Sequence, residues 1–467
     1  MVDGSPVDGS TKCMNSHRKL NEKMKKNWII AIVGFMTISN VVSAQTKLSL
    51  KECIDYGLKN NGNVRIAKIK EGIAEQQSRE ALSYYLPQVA AAGALDDNIK
   101  LQSTVLPAGV FDATEERRIT LGSKYSSNVS AQADQVIFDQ ALLTGLKANK
   151  PNIANAQLNS QRIREGIVYN VANNYYQVFV INQQISLLKD NLDKTRQILG
   201  MLQLQLDNGV IKKVDYDRTK VSLNNIQSQL TLAESNLLLA QNQLKLEMGM
   251  PMTEQIELTD NPLNKPFQVY EPGKFDTSNL TDFKIQKVNM QLQGIEKERI
   301  RAGYIPKVSV YGRYGMQALG NHLGESWNTW NSFGAIGLKL TIPIFDSFRR
   351  DAQYRQADLN LMTQNEQLKL NIQNYELQNN NATTTLQKAR INLSNDDSNV
   401  TLAKEVYDVT TLQYREGTVT LSDLLNAETS YKEAQSNYIN SMLSYYQAQL
   451  GIEQSQGSLL SFYTELP

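Results

Sequence analysis

Between Ser347 and Glu416 the chain runs for 70 residues without a glycine or a proline. A continuous helix over that run would be roughly 100 Å long at 1.5 Å per residue. Globular helices are far shorter, and a 467-residue chain has no compact use for such a length. A rod or a tunnel is expected.

Several landmarks of the second half echo the first. Tyr85-Leu86-Pro87 returns as Tyr304-Ile305-Pro306, and Ile137-Phe138-Asp139 returns as Ile344-Phe345-Asp346 after Pro343. The string "LQLDNG" (204–209) returns as "LQYREG" (412–417), with Gly249 and Gly457 at matching offsets. Four landmarks in one order at near-constant spacing indicate an internal duplication. The division is a prefix and signal peptide at 1–44, a first repeat at 45–250 and a second at 280–460. A linker carrying four prolines lies at 251–279, and a tail at 461–467. Each repeat carries one strand hairpin, about 86–138 and about 305–345.

The first residues carry an address. Lys23, Lys25 and Lys26 precede the apolar 28–42, and "VSA" (42–44) has the small residues of a cleavage site. Removing 1–44 takes six Lys/Arg and three Asp/Glu, leaving 42 basic and 44 acidic residues. Near-neutral charge gives no basic surface for nucleic acid. Cys53 would be the one cysteine left, so no disulfide within the chain is expected. Beyond the leader no run of about 20 apolar residues predicts a spanning helix.

The helical segments carry a seven-residue rhythm. Ile181, Ile185, Leu188, Leu192, Thr195, Leu199, Leu202 and Leu206 step by 4 and 3, and Leu223 to Leu244 continue it. Val400 to Tyr414 and Tyr431 to Ile452 do the same. Such a period predicts left-handed coiled coils, with wet, polar opposite faces.

The hairpins alternate with period two. Val308, Val310, Gly312, Tyr314 and Met316 oppose Ser309, Tyr311, Arg313, Gly315 and Gln317. Ile336, Leu338 and Leu340 oppose Ala335, Gly337 and Lys339; Val129, Ala131 and Ala133 oppose Asn128, Ser130 and Gln132. The segment from Gln88 to Asp96 is mostly Ala. Alternation by itself also suits a soluble sandwich. The secretion signal and strands of about ten residues favour an outer-membrane barrel. Arg313 or Lys339 facing lipid at mid-depth would cost about 2–4 kcal/mol, so their faces are expected to line a lumen. Four strands cannot close against lipid, which tolerates no open edges. Two chains would give eight strands and a filled interior; three would give twelve and an opening.

These carriers, together with "YREGTVTLSDLLNAE" (414–428), make the chain similar to the TolC-like outer-membrane efflux proteins over nearly all of 45–460. The resemblance implies an α+β membrane protein, a homotrimer with four strands per chain in a twelve-stranded barrel, set in outer-membrane lipid. A long coiled-coil tunnel would continue it into the periplasm of a Gram-negative bacterium. It further implies docking to a periplasmic adaptor (membrane fusion) protein and an inner-membrane transporter. The function implied is the passive exit duct of a tripartite pump for small molecules. A type I protein-secretion channel is an alternative, and a periplasmic coiled-coil scaffold without a pore is one of another class.

The two helix–turn–helix strings narrow the candidates. Gly209 and Gly417 fit helix C-termini, and Asp215 and Asp423, six residues later, fit the next helix N-termini. Thr420 and Asp423 also read as a capping box. The resemblance places these turns at the periplasmic tip, where threefold symmetry makes each Asp a ring of three carboxylates favouring cations. It gives Tyr414 a latching role. Asn426 stands where a second carboxylate often occurs, and Val419 where a basic latch residue can. Pro87 and Pro306 mark strand entries, where no ladder bond is yet required; Pro343, Asp139 and Asp346 mark strand exits. Residues 97–119 and 318–331 are expected as external loops, with Trp327 and Trp330 suited to a membrane-interface girdle. His17 and His322 are the two histidines, and no phosphate loop, zinc spacing or nucleophile set appears. No enzyme activity, cofactor or metal is expected.

Overall fold

A computed structural model describes residues 46–106, 115, 117–259 and 275–466. The leader and its cleavage position lie outside them, as does most of the linker.

The first repeat opens with strand β1 (Thr46–Leu48), then helices α1 (Leu50–Asn60) and α2 (Gly62–Ser83). Ser49 starts α1 through a capping box with Glu52. Strands β2 (Gln88–Asp97), β3 (Gln102–Leu106), β4 (Arg117–Leu121) and β5 (Tyr125–Phe138) follow. Helix α3 (Gln140–Leu146) leads into α4 (Asn149–Asp207) and α5 (Lys213–Met248). Strand β6 (Ile256–Leu258) begins the linker and pairs in parallel with β1. The second repeat comprises α6 (Thr281–Ala302), β7 (Lys307–Gly320), β8 (Trp330–Thr341), α7 (Arg349–Arg415) and α8 (Leu421–Gln456), and α9 (Leu459–Glu465) ends the chain.

The predicted long run is a helix of 67 residues, about 100 Å long. It begins at Arg349 rather than Ser347, because Ser347 and Phe348 take left-handed backbone (φ 55° and 61°) at the strand-to-helix corner. The loop expected at 97–119 contains the β3–β4 hairpin, which extends beyond the main sheet.

That sheet has four antiparallel strands in the order β2-β5-β7-β8, so the two hairpins lie side by side. The register sorts the side chains. One row reads Ala90, Gln132, Arg313, Ala335, and the next reads Ala91, Ala131, Tyr314, Gly334. All three predicted apolar faces fall on one side. Val129, Tyr314, Met316, Ile336, Leu338 and Leu340 stand exposed there. Arg313, Lys339, Gln132, Asp134 and Ser130 occupy the other. The ten residue steps from Trp330 to Leu340 cover about 25 Å of height at a strand tilt near 40°. That matches a lipid-facing band.

Aromatic residues mark both ends of this band. At one end the loop after β7 folds back over Ser127 and Ala318, which it buries. Ser326 bonds Ser127, and the Trp330 ring nitrogen donates to the Trp327 carbonyl at 3.1 Å. Ser127, Ala318 and Trp330 share the apolar side, so this loop leaves the polar side uncovered. At the other end Tyr84, Phe345 and Phe348 are exposed.

The long helices pair as α4 with α5 and α7 with α8, and α4 meets α8. They form a row in the order α5-α4-α8-α7. The predicted heptad residues Ile185, Leu192, Leu202, Ile226, Leu230, Tyr407 and Tyr431 are buried within it. Midway along, α1, α9 and β6 thicken the row around a core of Ile54, Val168, Tyr175, Met442 and Leu450. The outer faces are not simply polar, as expected from sequence. Val214, Val221, Leu232, Leu239 and Leu246 form an exposed apolar stripe on α5. Leu370, Leu377, Ile391, Leu402, Val409 and Leu412 do so on α7.

Candidate functional site

At the far end from the sheet, α4 turns into α5 and α7 into α8. Each turn needs a residue with positive φ to close its first helix. Gly209 (φ 71°) and Gly417 (φ 72°) supply it without a Cβ penalty. The Val210 N–H then returns to the Gln205 carbonyl at 2.8 Å and the Thr418 N–H to the Gln413 carbonyl at 2.9 Å. Together with the Gly209 and Gly417 bonds to Leu206 and Tyr414, these are Schellman closures.

The second helix of each turn starts differently in the two halves. Thr420 caps α8: the Asp423 N–H donates to its hydroxyl at 3.3 Å, and the Asp423 carboxylate accepts from the Thr420 N–H at 3.0 Å and hydroxyl at 2.6 Å. These donors hold the Asp423 carboxyl below its ordinary pKa. Lys212 caps α5 with no side-chain bond, and Asp215 lies in its first turn, half-buried. The duplicated aspartates are therefore chemically unequal. Asn426 is exposed one turn beyond Asp423, and Val419 is half-buried.

Tyr414 connects the two turns. Its hydroxyl donates to Gln205 Oε1 at 3.0 Å, tying α7 to α4. Burial pushes the Tyr414 phenol up. The residues Ile198, Leu202, Tyr407, Leu424 and Tyr431 pack beneath it.

Above that cluster lies a polar seam that the sequence reading missed. Thr195 on α4 donates to Glu428 on α8 at 2.7 Å, and Asn191 donates to Gln435 at 2.9 Å. Glu428 is 4% exposed and takes the Lys432 ammonium at 2.6 Å. Glu428 and Gln435 are seven residues apart, a polar pair on one heptad face; that spacing was the available signal.

The strand-end residues occupy the barrel-to-helix corners. Pro87 and Pro306 immediately precede β2 and β7, and Pro343 follows β8 by two residues. Asp139 accepts from the Ala141 and Leu142 N–H groups as the cap of α3. Its counterpart Asp346 instead faces Arg350 at 3.2 Å and Arg349 at 3.8 Å. Arg313 and Lys339 project from the polar sheet face, far from the tip. Among the described residues no cluster suited to a metal ion occurs.

A two-faced antiparallel sheet with an apolar band of bilayer height, continued by a row of paired helices of which the longest spans about 100 Å, is the architecture of an outer-membrane channel protomer. The model of the outer membrane efflux protein family (OEP) matches residues 53–250 and 297–458, and the chain belongs to that family. It works in efflux at the outer membrane of a Gram-negative cell. It is 22% identical over 479 residues to the outer membrane protein TolC of Escherichia coli strain K12, covering 93% of this chain and 87% of that one. Among solved structures, VceC of Vibrio cholerae superposes with a TM-score of 0.68 at 16% identity, covering 87% of this chain and 96% of its own. The open state of the Neisseria gonorrhoeae channel MtrE gives 0.67 at 19% identity, with coverages of 88% and 89%.

Proposed function

We propose that three copies of this chain close into one duct, a twelve-stranded barrel continuous with a helical tunnel. It passively conducts small molecules handed over by a periplasmic adaptor and an inner-membrane transporter. The observation that carries this reading is a matched pair of open edges at both levels. In the sheet, β2 and β8 are the edge strands; the four strands alternate in direction, so β8 of one copy meets β2 of the next antiparallel. In the helical row, α5 and α7 are the edges, and each bears the exposed apolar stripe described above. First-half elements form one edge throughout and second-half elements the other. Such a head-to-tail contact builds a closed ring, and lipid requires the sheet to close. Eight strands would leave a filled interior, whereas twelve leave a bore.

In this duct the tip turns form the periplasmic gate. Asp423, and more weakly Asp215, would ring the axis as carboxylates, favouring cations, and Tyr414 would hold the two coiled coils of a protomer together. The test is the mass of the purified protein in detergent by light scattering, with planar-bilayer conductance of the same fraction. A trimer mass with discrete channels is expected. A monomer that leaves bilayers silent would overturn the reading.

A further inference from the structure

The polar face of the sheet carries a feature that a merely wet wall does not need. In the row Ala90, Gln132, Arg313, Ala335, Arg313 is the one charged residue, flanked by an amide and two alanines. In the adjoining rows on either side, an aromatic residue faces a glycine: Tyr311 opposite Gly337, and Phe333 opposite Gly315. The rings occupy the space over those glycines. A Cβ on Gly337 would lie 2.6 Å from the Tyr311 hydroxyl oxygen and 2.7 Å from its Cζ. A Cβ on Gly315 would lie 2.7 Å from the Phe333 Cζ. Each glycine thus lets a ring settle along the wall rather than stand away from it.

Arg313 is exposed between these two rings and joins no ion pair among the described residues. The carboxylate in the adjoining row, Asp134, accepts from the Gln132 amide at 2.9 Å. The guanidinium offers a planar fork of donors to a carboxylate, sulfonate or phosphate. Two flat apolar rings beside it suit an aromatic body. Lys307 and Lys339 add positive charge to the same face nearer the helices.

We propose that Arg313, Tyr311 and Phe333 form a collar that recognises aromatic organic anions in transit through the barrel. The collar rests on the duct reading above and deepens it by naming a cargo class. Three copies would place three guanidinium groups at one height, the arrangement that favours anions in a pore. It is opposite in sign to the aspartates at the tip, so cargo past an acidic entrance would meet three guanidinium groups, with Asp134 in the adjoining row. A flexible cation alone would attract any anion; the rings add preference for those with an aromatic face.

The experiment uses the purified full-length channel in planar bilayers, with probes added on the barrel side so that they reach the collar before the tip. Naphthalene-2-sulfonate is the probe and inorganic sulfate the charge control. The parent is expected to be blocked by naphthalene-2-sulfonate at lower concentration than by sulfate. Arg313→Gln should weaken that block by about 10-fold and shift the reversal potential in a KCl gradient toward cation preference. Phe333→Ala should weaken the naphthalene-2-sulfonate block several-fold while moving the reversal potential less than Arg313→Gln does. Equal block by the two probes, or an Arg313→Gln channel with unchanged reversal potential and block, would overturn the collar while leaving the duct standing. A parent that forms no channel would instead overturn the duct, and the collar with it.

Discussion

The Tyr414 hydroxyl donates to Gln205 Oε1 across 3.0 Å, joining two coiled coils at their tips beside the apolar cluster of Ile198, Leu202, Tyr407, Leu424 and Tyr431. One neutral hydrogen bond contributes about 1 kcal/mol net, enough to change an open-to-closed ratio about 5-fold. Tyr414→Phe removes the donor and keeps the ring in its packing. Its expected effect is a several-fold rise in single-channel open probability. Gln205→Leu should do the same, and the double variant should open no further than either alone, since both delete one interaction. Additive effects would show that the two side chains act on the gate separately.

Asp423 has two separable roles. As a cap its carboxylate is stabilised by Thr420, which lowers its folded-state pKa. That contribution to stability is complete above the ordinary carboxylate range and is lost as pH falls through the lowered folded value. Asp423→Asn should therefore flatten the acid limb of thermal stability against pH. The carboxylate is exposed, so the change in midpoint will be small. As a ring charge it should set cation block. Asp423→Ala is expected to raise the concentration of divalent cation needed to reduce conductance; an unaltered block would leave the cap as its whole role.

What the sequence disclosed follows from how local each signal is. Period-two alternation requires only neighbours, so the faces of Ala131, Tyr314 and Leu338 were legible. The tip turns were legible because Gly417 and the Thr420–Asp423 box act within a few residues. The Thr195–Glu428 contact joins positions 233 residues apart, and nothing near Glu428 announces its partner. The β1–β6 pair was hidden for the same reason, being three residues on each side. The outer stripes of α5 and α7 escaped notice for a different one. Asn225 and Ser228, or Thr384 and Lys388, interleave with Leu232 and Ile391, so the apolar rhythm is diluted where copies would meet.

The buried seam predicts an order of stabilities. Lys432→Met leaves the Glu428 carboxylate inside the α4–α8 contact without its cation, a loss of about 3 kcal/mol for a buried pair broken on one side. Thr195→Val removes one of its hydrogen bonds and should cost about 1 kcal/mol or somewhat more. Glu428→Gln keeps an acceptor for Thr195 and releases Lys432, itself 24% exposed, toward water; it should cost least. Helical circular dichroism followed through thermal unfolding in detergent gives the three midpoints. Glu428→Gln falling below Lys432→Met would mean that the ammonium, not the carboxylate, is the group that burial penalises.

The corner after β8 offers a prediction of opposite sign. Ser347 and Phe348 are the two non-glycine residues with positive φ among the described residues. A left-handed residue with a Cβ costs about 1–2 kcal/mol. Phe348 has a reason to accept that cost, since its ring packs edge-on against Phe345 at 5.6 Å at the rim of the apolar band. Exposed Ser347 makes no comparable contact. Ser347→Gly should therefore stabilise the folded chain by about 1 kcal/mol, after allowing for the greater freedom of glycine when unfolded. Ser347→Val should destabilise it, because a β-branched side chain tolerates this backbone least. Thermal midpoints of the three proteins, measured in one detergent, should rank Gly, Ser, Val. The reverse ranking would show that residue 347 is extended in the assembled channel, with the chain turning into α7 through Phe348 alone.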